Sequence, residues 1–233
     1  MNDICLRLSR HPSLCLTWGI PLPTDAPDDD DDELMENGLY KQMDDVELVL
    51  RFFAFRQNPQ YLGTSLRDYF DIYLQRANRF EDPLLNQLAM TFSETIDLAF
   101  DLLGPGAFWL WRYRNGKYNW YSRPTTVAYD TIMSVLSERL DRKDRILERS
   151  ELIAGALPAF YQTYYDDFAG RYTNPSNILK RRELFATFID SSIEADPPCD
   201  QHCWTLSDQS TTWSACSRAV GLKNSCSHKT RAR

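Results

Sequence analysis

A mainly α fold, an irregular multi-helix bundle with a small β-hairpin near residues 109–121 and a poorly ordered C-terminal tail, is what the sequence predicts from three observations. Between residues 43 and 190 several runs repeat apolar residues at helical spacing. The aromatic stretch from Ala107 to Tyr121 instead alternates around Asn115-Gly116, the short-turn signal of a hairpin. Beyond Asp196-Pro197-Pro198 the composition shifts to Ser, Thr and Cys, and periodicity ends. These breaks divide the chain into an N-terminal approach segment with an acidic loop (1–42), a helical domain (43–190) and a Cys/Ser-rich tail (191–233).

The approach segment carries apolar patches at Ile4, Leu6 and Leu8 and again at Leu14, Leu16 and Trp18, separated by His11-Pro12. The prolines of Gly-Ile-Pro-Leu-Pro at 19–23 push the preceding residues out of the α region. The central element expected is a buried helix from Met43 to Arg56, with Val46, Val49, Leu50 and Phe53 on one side and Leu48, Phe52 and Phe55 on the other. Asp44 is its expected N-cap, with Glu47 completing a capping box and Met43 and Leu48 a hydrophobic staple. Glu47, Arg51 and Arg56 are the polar residues of this run, and so apolar a helix favours structural pairing for them over catalysis. Asp44, Glu47, Arg51, Phe52, Phe53 and Arg56 are therefore assigned structural roles.

Ser65 and Asp68 open the next helix, with Leu66, Phe70, Tyr73 and Leu74 on one face. Asp82-Pro83 starts a longer one through Leu88, Phe92, Ile96 and Leu103, stopped by Gly104-Pro105. Another is expected from Pro124, carrying Val127, Ile132 and Leu136. A further helix through Ile146, Ile153, Leu157 and Tyr164 should kink or split at Pro158. Asn174-Pro175 opens the last, with Ile178, Leu179, Phe185, Phe188 and Ile189 inward.

The net charge is −7, all of it accounted for by the acidic loop of Asp25, Asp28 to Asp32 and Glu33, so charge neither demands nor excludes nucleic acid. Consecutive Asp residues repel one another and lack the glycine turn of a calcium loop. Content of 43% hydrophobic residues supports a core, no apolar run approaches a membrane span, and the first residues lack the basic start, continuous apolar centre and small-residue cleavage site of a signal peptide; a cytoplasmic location without membrane contact is expected.

Three groups are candidates for function. Trp109, Trp111, Arg112, Arg114, Lys117 and Trp120 interleave aromatic and basic residues, which suits either a hairpin whose aromatic side covers the helices or a stacking platform for exposed bases. Lys180, Arg181 and Arg182 form either a solvated helix face or a phosphate contact. Cys199, Cys203, Cys216 and Cys226, with His202 and His228 nearby, supply enough ligand types for zinc, but their irregular spacings lack a Cys-x2-Cys knuckle. No phosphate-binding Gly loop, His-Glu-x-x-His or Gly-x-Ser-x-Gly elbow occurs. With no histidine inside 43–190, His-dependent acid–base chemistry there is not expected.

From about Leu14 to Ile189 the chain resembles the C-terminal helical part of GmrSD-like restriction and phage-defence proteins. The resemblance is carried by Trp18-Gly19-Ile20-Pro21, the block from Tyr40 to Arg56, the segment Phe92 to Phe108 with its Gly-x-x-Ala-Phe ending, and Arg182. It implies a bacterial DNA-targeting system, with DNA and a separate nuclease domain or subunit as partners. The family's ParB-like domain uses nucleotide to drive DNA cleavage, and its Asp-Gly-Gln-Gln-Arg motif does not occur here. Nucleotide and divalent metal are thus implied for that missing domain alone, with no cofactor expected in this chain. Some members continue into an HNH-type nuclease; Cys199, Cys203, Trp213-Ser214 and His228-Lys229-Thr230 look like a disrupted version of it, and Ser210, Thr211 and Thr212 stand where an Asp-His pair is expected. The resemblance therefore implies a fragment acting as a scaffold, with a metal-dependent nuclease or a protein-interaction module as alternatives.

Overall fold

Helix-compatible runs set the architecture of the computed structural model, which describes residues 1–22, 30–57, 65–169 and 174–194. In chain order the helices are α1 (Asn2–Leu8), α2 (Pro12–Trp18), α3 (Asp30–Glu36), α4 (Gly38–Lys41), α5 (Asp44–Gln57), α6 (Leu66–Ala77) and α7 (Asp82–Leu103). After a 3-10 turn at Gly104–Gly106 come strands β1 (Leu110–Arg114) and β2 (Lys117–Tyr121). Then follow α8 (Thr126–Ser137), α9 (Lys143–Glu148), α10 (Ser150–Thr163), α11 (Tyr165–Ala169) and α12 (Pro175–Glu194). The mainly α architecture with one small antiparallel hairpin is as the sequence predicts.

The element that most of the others surround is α8, in which every residue from Val127 to Ser137 is buried, and α5, α7 and α12 pack against it. Its sequence hides this, because Thr131 and Ser137 read as polar. Their hydroxyls donate to the helix's own carbonyls at Val127 (2.8 Å) and Ser134 (2.8 Å), so they enter the core without an unsatisfied group. The adjacent α5 is buried from Leu48 to Phe55 except at Leu50. Tyr129 of α8 donates its hydroxyl to the Leu48 carbonyl (2.9 Å), tying the two helices.

α5 begins one residue earlier than a capping box at Asp44 requires. Asp44 lies inside the helix, and the Met43 carbonyl accepts the first intrahelical bond from the Glu47 amide (3.0 Å). Met43 takes the left-handed backbone (φ 57°) that breaks the chain away from α4, and its side chain is exposed, which leaves no staple.

The segment 1–42 is no mere approach: Cys5, Leu8, Leu14, Cys15, Trp18 and Ile20 join the same core as α5 and α7, and Met1–Ala195 forms one compact unit. Here the apolar residues follow helix faces, which exposes Leu6 and Leu16 and buries the two cysteines. Gly19 ends α2 in the left-handed conformation (φ 64°), letting the Ile20 amide return to the Cys15 carbonyl (2.9 Å). Arg10 then pairs with buried Asp45 and lies over Tyr40, joining the turn between α1 and α2 to α4 and α5.

α6 and α7 start and stop close to expectation: the Ser65 hydroxyl accepts from the Asp68 amide (3.1 Å), Pro83 sits in the first turn of α7, and Gly104 follows its end. The break expected at Pro158 instead falls at Arg149, between α9 and α10. Pro158 stays within α10, beside exposed Gly155 and Ala159. Leu179, expected inward, is exposed, because Ile178 and Phe185 already take the core-facing side of α12. Among the described residues no helix is long and apolar enough to cross a membrane. The tail 195–233, including Cys199, Cys203, Cys216 and Cys226, lies outside the described residues.

Candidate functional site

The hairpin separates the residues that sequence reading had grouped. Asn115 (φ 53°) and Gly116 (φ 80°) make the turn, and the register pairs Trp111 with Trp120, Tyr113 with Tyr118, Arg112 with Asn119 and Arg114 with Lys117. Because side chains alternate along a strand, one face carries Trp111, Tyr113, Tyr118 and Trp120, and the other carries Arg112, Arg114 and Lys117 together with Leu110, Asn119 and Tyr121. On the aromatic face Trp111 meets Trp120 edge-on (5.2 Å between ring centroids), Trp120 meets Tyr161 of α10 and Tyr118 meets Tyr165 of α11. That face covers the helices, and its two indoles are used in packing. A hairpin alone is marginal in water, and this anchorage supplies the missing apolar contact.

On the opposite face Arg112 and Arg114 both lie over the Tyr121 ring, at 5.3 and 5.4 Å from its centroid. Arg114 and Lys117 are exposed and Arg112 half-buried. Trp109 stands apart from both faces, half-buried against Gly106, where an added Cβ would meet the indole at 3.1 Å.

The basic run on α12 is engaged within the fold. Lys180 pairs with Asp167 (2.6 Å), and Arg182 pairs with Glu138 (2.6 Å) while donating to the Phe55 carbonyl (3.4 Å). Arg181 is 2% exposed and donates to the Asp167 carbonyl (3.4 Å). Burial pushes its pKa down, with Asp130 and Asp167 opposing. A side chain so enclosed is not placed to meet a phosphate, whereas Lys180 keeps half of its surface.

Arg51 forms the most buried charge pair. Its Nε and Nη2 donate to both carboxylate oxygens of Asp130 (3.0 and 2.5 Å), and Nη1 reaches Glu47 one turn away (3.1 Å). Burial works against its charge, but Asp130 and Glu47 outweigh that cost and push its pKa up. Phe52 and Phe53 close on Phe92 of α7 at 5.3 and 6.0 Å. Arg56 is half-buried, and its Nε has no hydrogen-bond partner among the described residues. A cleft of about 660 Å³ opens between α1, α5 and α6, lined by Leu6, Val46, Leu50, Leu66, Phe70 and Leu74 with Arg51 and Glu47 at one side.

Sequence reasoning missed the acidic partners. Asp130 and Asp45 are buried, and Asp190 binds Arg139 through both oxygens (2.8 and 2.6 Å). A lone Asp in the apolar run of α8 was the available signal. His11, set outside the helical body, packs on Phe92 with its Nδ1 3.9 Å from Asp97. Burial lowers its pKa against the pull of Asp97. Ser13 donates to that same carboxylate (2.5 Å), so its hydroxyl is engaged by Asp97 and not by His11.

No family model, curated protein or solved structure matches this chain.

Proposed function

We propose that the chain is a helical scaffolding region of a bacterial DNA-targeting restriction or phage-defence system, cytoplasmic, which supports a nuclease domain carried elsewhere and does no chemistry of its own. The observation that supports this reading is where the residues bearing the GmrSD-like resemblance come together. Trp18 packs on Phe108 (6.2 Å), Phe52 packs on Phe92 and Arg182 donates to the Phe55 carbonyl. Four stretches far apart in sequence are thus spent on one core, and two polar residues of the Tyr40 to Arg56 block, Glu47 and Arg51, on its pairing. Residues used in this way hold a fold together, and none of them is placed as an activated nucleophile or base among the described residues.

Nucleotide and divalent metal belong, on this reading, to the separate nuclease domain. The test is plasmid nicking by the full chain with magnesium or manganese, alongside metal analysis. The expected result is no nicking and no stoichiometric zinc. Metal-dependent nicking that disappears in Cys199→Ser would instead establish a nuclease built on the tail.

A further inference from the structure

We propose that the outward face of the β1–β2 hairpin, with Arg112, Arg114, Lys117 and adjacent Arg123, binds the phosphate backbone of duplex DNA; only the choice of DNA among polyanions rests on the function proposed above. The first support is charge left without an internal use. Arg10, Arg51, Arg139, Arg142, Lys180 and Arg182 each meet a carboxylate inside the fold. Arg112, Arg114, Lys117 and Arg123 form no ion pair among the described residues.

The second support is register. Arg114 stands directly opposite Lys117, and like charges facing each other across an antiparallel pair are destabilising. The fold gains nothing from that pairing, so a partner outside the fold is its natural counterpart. The third is preorganisation: the Tyr121 ring holds both guanidinium groups in place without neutralising either, which lowers the entropy lost when they meet an anion.

Packing also takes the two strand tryptophans away from bases. Trp111 and Trp120 are packed against each other and Trp120 against Tyr161, so the indoles that could stack on an unpaired base are occupied. A two-stranded ribbon whose outer face is cationic contacts the duplex backbone without reading sequence.

Four phosphate contacts give a slope of log affinity against log salt of about −3.6, and losing two reduces it to about −1.8. The test is fluorescence anisotropy of the full chain with a short labelled duplex across about 50 to 200 mM salt. It compares the wild type with R112Q/R114Q and the charge-preserving R112K/R114K, each checked for fold by near-ultraviolet circular dichroism. The expected result is that R112Q/R114Q loses about half the slope while R112K/R114K keeps it. The proposal is overturned if the folded Gln variant retains the wild-type slope, if the wild type does not bind duplex at the lowest salt, or if it binds polyglutamate and not DNA. Failure of this kind leaves the scaffold reading standing, whereas cleavage of the bound duplex would sink the scaffold reading and leave the hairpin contact intact.

Discussion

Replacing Arg51 by Met tests whether α5 is held by charge pairing or by packing alone. Arg51 and Asp130 are both nearly buried, with side chains 7% and 6% exposed, and the guanidinium meets both carboxylate oxygens. The methionine replaces most of the aliphatic stem, so lost packing is the smaller effect. The larger one is the Asp130 carboxylate left buried without its partner; breaking such a pair from one side costs about 3–5 kcal/mol. At about 2–4 °C per kcal/mol for a chain of this size, the expected fall in Tm is roughly 6–20 °C. Adding Asp130→Asn removes the orphaned charge, and R51M/D130N should regain about 1–3 kcal/mol over R51M. Thermal and urea melts of the wild type, both single variants and the double close the cycle. If R51M stays within about 0.5 kcal/mol of the wild type, or the double variant is no more stable than R51M, the pair does not organise the core as argued. If R51M melts like the wild type but loses DNA affinity, Arg51 is a contact residue and its structural assignment fails.

The remaining predictions concern other parts of the same core. Phe92→Ala removes a fully buried ring that meets Phe52, Phe53 and His11, and should cost about 3–5 kcal/mol in a urea melt. The Arg139 pair holds the Asp190 carboxyl below its ordinary pKa, so its contribution is present above the unfolded value and lost as pH falls through the folded one. Asp190→Asn should therefore destabilise by about 1 kcal/mol at neutral pH, with the gap to the wild type closing below about pH 4, as melts across pH will show. Burial pushes the Cys5 thiol up to about 12 and raises Cys15 as well, so neither should react with iodoacetamide at pH 8 until the chain is unfolded. Peptide mass mapping reads this directly.

What the sequence made legible was local chemistry with a single outcome. Asn115-Gly116 can supply two successive positive φ angles, Ser65 can cap, and Pro83 and Gly104 can bound a helix; each does so where expected. Long-range pairing was not legible, because nothing in the order of residues links Arg51 to Asp130, or Arg139 to Asp190. The same blindness displaced the centre of the fold. By apolar content α5 looked central, yet Thr131 and Ser137 of α8 satisfy their hydroxyls on their own backbone and enter the core more completely. Grouping the hairpin's tryptophans with its arginines had a related cause: composition places them together, and only alternation along paired strands puts them on opposite faces.

Several of the basic residues named above differ in what the backbone does with them. Arg51 on α5, Arg182 on α12 and Arg139 in the turn after α8 reach neighbouring elements, and each finds a carboxylate presented there. On the ribbon, Arg114 and Lys117 are exposed and Arg112 is half-buried with its Nε enclosed beside Tyr161 and Tyr165, and among the described residues none of the three meets a carboxylate. Charges of the first kind raise the cost of misassembling α5, α8 and α12, because a displaced helix strands a buried ion. Those of the second kind contribute to the fold only through the Tyr121 ring, and on the proposal above they act on an anion outside it. A substitution that neutralises a helical arginine should accordingly register in melts, and one that neutralises a ribbon arginine in salt-dependent binding.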